Sequence, residues 1–201
     1  MTDTLQELLD AQSALQHKMP TTHPSDLFDD FVTAEARANG NTDLRRQTDL
    51  AVAAEDVTAF IQWNHKALTH EMVELESETG WKPWATKRFV NLEAARGEAI
   101  DMLHFLLNDF LVLGMDAGEV RRRYHLKHAK NAKRQEEGYD GVSTKCPGCK
   151  RALDDDGVAC HVRPQARLGD RVGVVFCDVH GRAYPIADQP AGGTYLEGSF
   201  T

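Results

Sequence analysis

The sequence predicts a mainly α protein, a helical core followed by a small β-rich metal module. Three observations carry that expectation. Apolar residues recur at helical spacing through the first 140 residues, only Pro20, Pro24 and Pro83 interrupt that stretch, and Cys146, Cys149, Cys160 and Cys177 all fall after it. The expected division is therefore a domain over residues 1–140 and a module with its tail over 141–201. A chain of 201 residues with 41% hydrophobic content has enough apolar material for a real core, which argues against a disordered chain.

Taken in order, Leu5, Leu8, Leu9, Leu15 and Met19 follow a helical period ended by Pro20, and Leu27, Phe28, Phe31 and Val32 mark a second helix after Pro24. From about Thr42 to Glu78, the residues Leu50, Val57, Ile61, Leu68, Met72 and Leu75 step by three, four or seven. That is the pattern of one long amphipathic helix, stopped at Gly80. The loop GWKPWATKRF leads into a helix from about Asn91 to Leu113, with Asn91 as its N-cap and Gly114 closing it. Asp116 and Glu119 read as a capping-box variant that opens a last helix, which ends near Glu137 before Gly138. Alternating residues over 157–162 and 171–177 read as strands.

Charge excludes some functions. The net charge is −8, and the seven basic and seven acidic residues after position 140 cancel, so the excess belongs to the helical part. No global field draws such a chain to nucleic acid or to an anionic membrane, and any phosphate binding must be local. No apolar stretch reaches the roughly 20 residues of a membrane span, and the start lacks a basic n-region and an apolar h-region. A cytoplasmic protein without a membrane partner is expected.

The helix over 91–113 is apolar almost all round, which implies burial in a bundle, yet Glu98, Asp101, His104 and Asn108 form a polar stripe along it. A buried carboxylate without a partner is strongly disfavoured, so this stripe calls for a cation or for basic side chains. The preceding helix offers a matching half in Glu71 and Glu74, while Glu76 and Glu78 read as surface acidity. Two helices that each present an i, i+3 carboxylate pair suit Mg²⁺, which takes few carboxylates, keeps waters and bridges phosphates. On the last helix Tyr124, Lys127, Asn131 and Arg134 share one side, as a phosphate-reading surface would.

Cys146-Pro-Gly-Cys149 and Cys177-Asp-Val-His180 are two x₂-spaced pairs in a chain with no secretion signal, the spacing of a zinc ribbon with three thiolates and one imidazole. Four protein ligands close the shell, so the Zn²⁺ would be structural. Cys160 or His161 could replace one member, and Cys160 otherwise reads as a buried strand residue. The module's zero net charge argues against strong affinity for nucleic acid.

The strings HEMVEL (70–75), WKPW (81–84), EAIDMLHF (98–105) and YHLKHAKNAKRQEEGY (124–139), in this order, resemble the all-α dimeric dUTPases of the MazG-like nucleotide pyrophosphatase superfamily over about residues 5–140. The resemblance implies an all-α helical bundle and a homodimer or higher homo-oligomer. It also implies Mg²⁺-dependent hydrolysis of a deoxynucleoside triphosphate, dUTP first, to the monophosphate and pyrophosphate. Carried over residue by residue, it makes Glu71, Glu74, Glu98 and Asp101 the catalytic metal ligands, with Glu71 or Glu74 orienting the attacking water. Gln12, in LLDAQSAL, would read the pyrimidine edge, Trp84 would wall the base pocket with Lys82 nearby, and His104 and Asn108 would line its floor or order the metal shell. Lys127, Asn131, Arg134 and Tyr139 would hold phosphates, sugar or base. Pro83 departs from the family's usual aromatic, and the stretch 20–45 has no counterpart, which touches base choice more than the reaction. The same reaction on dCTP or a modified nucleotide is the enzymatic alternative. A noncatalytic zinc-ribbon adaptor is the alternative from another class, and the carboxylate quartet speaks against it.

Overall fold

Asp3 opens the first helix by accepting a hydrogen bond from the Leu5 amide at 3.1 Å, and its carboxylate also pairs with Arg121. The structure is a computed structural model that describes residues 3–84, 86–136, 138, 145–146, 148–153, 160–164, 173–177 and 179–185. Within the strands, side chains are described at Phe176, Cys177 and Arg182, and Tyr139 lies outside the described residues. The order is α1 (Thr4–Gln16), α2 (Pro24–Ala38), α3 (Leu44–Ser77), α4 (Leu92–Val112), α5 (Ala117–Glu136), β1 (Cys160–Pro164), β2 (Gly173–Cys177) and β3 (Arg182–Pro185). The chain is mainly α, as expected. It divides into two compact units, Met1–Lys127 and His128–Thr201.

In the first unit α1, α2 and α3 pack on α4 or on one another. Leu9 on α1, Leu107 on α4 and Ala117 at the start of α5 make a buried cluster, extended by Leu5, Leu103, Phe110 and Leu111. The long helix fills nearly the range expected of it and starts at Leu44, because Asp43 caps it by accepting from the Arg45 amide at 3.0 Å. Asn91 precedes α4 but makes no side-chain cap. Its Nδ2 instead donates to Glu78 Oε2 at 2.8 Å, so Glu78, expected as plain surface acidity, ties the end of α3 to the start of α4.

The burial expected for α4 is only partly met within one chain. Leu107, Asn108 and Val112 are buried, whereas Ile100 stays 55% and Leu106 40% exposed, because the first three helices leave one side of α4 uncovered. Among the described residues no helix is long and apolar enough to cross a membrane.

Gly114 ends α4 as the pattern predicts. Its φ is +63°, and the amides of Gly114 and Met115 donate back to the carbonyls of Leu111 and Phe110 at 3.1 and 2.8 Å. Space matters as much as dihedral here, since a Cβ at this position would collide with the Phe28 ring of α2. Asp116 then caps α5 by accepting from the Glu119 amide at 2.8 Å. Glu119 does not complete a capping box; its carboxylate accepts from Arg122 and Arg123.

The second unit contains one antiparallel sheet among the described residues, in the order β1-β2-β3, with Cys160 opposite Cys177 and Val175 opposite Tyr184. Strands β1 and β2 correspond to the two expected ones. β3 was not expected: four residues ending at Pro185 are too few for alternation to register.

Two outcomes are expected from this packing. Gly114→Ala combines a left-handed backbone with a clash and should destabilise the helical unit by about 2–3 kcal/mol. Thermal denaturation followed by circular dichroism should show a Tm lower by roughly 5–10 °C. The second concerns Glu119, whose pKa the hydrogen bonds from Arg122 and Arg123 lower to about 2. A carboxyl depressed in the folded state adds stability that is present above its unfolded pKa and is lost as pH falls toward 2. Wild type should therefore exceed Glu119→Gln in urea midpoint at pH 6, with the gap closing on acidification below about 4.5.

Candidate functional site

The carboxylates expected to act together come mostly together. Glu71 and Glu74, one turn apart on α3, face Glu98 on α4, with carboxylate oxygens of the three lying within 4.8 Å of one another. Asp101, one turn further along α4, is exposed and outside that group, yet its charge reaches Glu98. Desolvation first, then the charges of Glu74, Asp101, Glu71 and Glu78, push the Glu98 carboxyl up from its ordinary value. Like charges held this close repel, and a hard divalent cation would relieve them.

Toward the other end of α4 the polar stripe enters the bundle. Asn64 of α3 is completely buried and Asn108 of α4 is 2% exposed. Asn64 Nδ2 donates to the Phe105 carbonyl and to Asp109 Oδ1, both at 2.8 Å. Asn64 Oδ1 accepts from Asn108 Nδ2 at 3.1 Å, and Asn108 Oδ1 accepts from Gln12 Nε2 of α1 at 2.6 Å. Gln12 Oε1 lies 2.6 Å from His104 Nδ1, and Asp109 Oδ2 lies 3.0 Å from His65 Nε2. One hydrogen-bonded chain thus joins three helices and contains Gln12, His104 and Asn108 from the predicted set. Sequence reasoning placed Asn64 on the stripe that leads to Glu71 and Glu74, yet assigned no role to it, to His65 or to Asp109. Asn64 had a usable signal, an amide on an apolar helix face two turns before Glu71.

The loop after α3 is held from within. Arg88 donates to the carbonyls of Gly80, Lys82 and Pro83, all within 2.9 Å, and Thr79 bridges Val90. Gly80 has no room for a side chain, since a Cβ would sit 2.9 Å from the Phe89 amide nitrogen. The loop leaves Trp84 76% exposed, edge-on to Trp81 at 6.4 Å, while Lys82 Nζ lies 5.9 Å from the Trp81 ring centroid. Lys127, one turn after Tyr124 on α5, is exposed in the first unit.

In the second unit, Asn131 and Arg134 lie on α5, one turn apart on one face. Cys146, Cys149 and Cys177 bring their sulfurs within 4.8 Å of one another, and His180 Nδ1 lies 3.9 Å from Cys177 Sγ. Two tight turns create this centre. In one, the Lys150 amide returns to the Cys146 carbonyl and Lys150 takes φ 62°; in the other, the His180 amide returns to the Cys177 carbonyl and Gly181 takes the same φ. Cys160 and His161 lie in β1, and their side chains are outside the described residues.

A family model described as dUTPase matches residues 4–112. Among curated relatives, a dCTP pyrophosphatase of Enterobacteria phage LZ5 is 28% identical over 162 residues, covering 68% of this chain and 83% of the relative. A dCTP pyrophosphatase of Enterobacteria phage T4 is 34% identical over 79 residues, covering 33% of this chain and 46% of the relative. No solved structure matches the chain significantly.

Proposed function

The chain belongs to the all-α dUTPase family and is a nucleoside triphosphate pyrophosphatase, and from that premise we propose that it hydrolyses dUTP to dUMP and pyrophosphate with Mg²⁺. The observation that carries the reading is the carboxylate group of Glu71, Glu74 and Glu98 across α3 and α4, with Asp101 beside it. This all-oxygen donor set fits Mg²⁺, and the four residues would hold it. Such a cation supplies charge neutralisation on the triphosphate and Lewis-acid activation of water. Glu71 or Glu74 orients the attacking water and takes its proton, while the polar chain that includes Gln12, His104 and Asn108 reads the base. Lys82 and Trp84 flank that base from the loop. Lys127, Asn131, Arg134 and Tyr139 keep the phosphate and sugar contacts that the family resemblance assigns to them. dCTP is the second reading, favoured by the names of both phage relatives.

The enzymatic part is assigned to residues 1–140, and 141–201 to a structural zinc module. Three thiolates and the neighbouring His180 imidazole are the donors Zn²⁺ takes, which supports a closed site at Cys146, Cys149, Cys177 and His180. Assembly as a homodimer is supported by the apolar residues exposed on α3 and α4, among them Trp63, Met72, Val73, Ile100 and Leu106. A cytoplasmic location completes the reading.

Pyrophosphate release should be measured with Mg²⁺ against dUTP, dCTP, dTTP, dATP and dGTP. Turnover is expected for dUTP above all; preference for dCTP selects the second reading, and no turnover of any of the five overturns the proposal. Glu98→Gln should lower kcat at least about 100-fold with an unchanged circular dichroism spectrum, because a charged ligand is lost while volume is kept. Metal analysis of the purified protein should find one zinc per chain, and Cys146→Ser combined with Cys149→Ser should lose it. Zinc absent from the wild type, or fully retained in the double variant, would reject the ribbon.

A further inference from the structure

The buried amide chain has a direction, and chemistry alone fixes it. Asn64 meets two groups at 2.8 Å that can only accept, the Phe105 carbonyl and the Asp109 carboxylate. Its Nδ2 must therefore face them, since both amide hydrogens find acceptors there and the reverse orientation would set oxygen against oxygen twice. That leaves Asn64 Oδ1 toward Asn108, which must answer with Nδ2. Asn108 Oδ1 then faces Gln12, which must answer with Nε2. Gln12 Oε1 is what remains for His104, and an amide oxygen needs a donor, so the ring must carry its hydrogen on Nδ1. Neutral His104 is thereby left with a lone pair on Nε2, on an exposed residue.

We propose that Asn64 is a positioning residue whose orientation sets the polarity of Asn108 and Gln12. Through them it holds His104 as the Nδ1–H tautomer, so that Nε2 accepts a hydrogen bond from a donor on the pyrimidine edge. The inference rests on the reading above that this chain faces the base. Uracil N3–H and the cytosine amino group are the donors of that class, whereas uracil O4 and cytosine N3 are acceptors. An acceptor at Nε2 thus sets which position of each base it engages, N3–H of uracil or the amino group of cytosine, so that the two bases must sit differently against it. Each link depends on the one before it, and an inverted link would leave two acceptors or two donors face to face.

Nitrogen-15 NMR of the imidazoles, at a pH where His104 is neutral, reads the tautomer directly. The wild type is expected to show His104 protonated on Nδ1; protonation on Nε2 overturns the proposal without any variant. Asn64→Leu removes the oriented amide and should give a mixed tautomer, together with a change of roughly tenfold or more in the ratio of kcat/KM for dUTP over dCTP. Asp109→Asn can still present a carbonyl oxygen to Asn64 and should keep both the tautomer and the ratio. A lower Tm in Asn64→Leu with tautomer and base ratio unchanged shows a merely structural amide and refutes the inference. A shifted tautomer with an unchanged base ratio leaves the relay in place and removes its link to the base, which is failure of the site reading alone. Should Asn64→Leu not fold, the wild-type spectrum still decides, since protonation on Nε2 overturns the proposal.

Discussion

Asn64 and Asn108 have no access to water, so every polar atom they carry must find its partner inside the bundle. They find it in each other, in Gln12 of α1 and in the Phe105 carbonyl and Asp109 carboxylate of α4. This requirement fixes more than local orientation. Asn64 can reach Phe105 and Asn108 in only one antiparallel register of α3 against α4, because a slip by one turn would strand several buried polar groups at about 1–3 kcal/mol each. The apolar contacts around them, shared among many similar leucines and valines, discriminate register far less sharply. Two turns along α3 from Asn64, the same register sets Glu71 and Glu74 against Glu98.

The two ends of α4 therefore solve opposite problems with one stripe of residues. At Asn108 the polar groups are neutral, dry and mutually satisfied; at Glu98 they are acidic, closer to solvent and mutually repelling. Repulsion among these carboxylates costs stability, and it is tolerable because the helices are already clamped by packing and by the amide chain beside it. A group of carboxylates that could drift apart would relax its own charge and lose its affinity for a divalent cation. The loop that follows α3 is constrained in the same manner, with Arg88 gathering three carbonyls and leaving Trp84 and Lys82 outside.

Periodicity made the five helices legible, because burying one face of each is a property of the local sequence. Gly114 was legible for the same reason: a helix ending in a left-handed residue is a local event, and the contact with Phe28 only adds to it. Asn91 holds the expected N-cap position, but its side chain is turned to donate through Nδ2 to Glu78, thirteen residues earlier, and makes no cap hydrogen bond. The exposure of Ile100 and Leu106 was not legible, since hydrophobicity says that a residue wants cover without saying whether the same chain supplies it. Glu71, Glu74 and Glu98 could be paired from spacing, whereas for Asn64 the helix face was legible but its partners were not. Its role exists only where α1 and α4 meet it. The cysteine pairs announced their cluster because x₂ spacing is itself the geometry of a metal-binding turn, whereas β3 was too short to announce anything.

On the proposed reading, hydrolysis rests on charged residues and base reading on neutral amides, which bears on how one family can hold different pyrimidine specificities. Uracil and cytosine have the same shape, and along one edge they differ by the exchange of a donor for an acceptor. A pocket that discriminates by size gains little from that difference, while a pocket whose amides point in a fixed direction is sensitive to nothing else. Reversing the direction changes no volume and moves no charge, so the carboxylates on the next turns of α3 and α4 feel no change in packing or field. A dUTPase family model and relatives named dCTP pyrophosphatases can thus both match this chain. In this chain the direction is set furthest from solvent, at Asn64, where Phe105 and Asp109 leave the amide one choice.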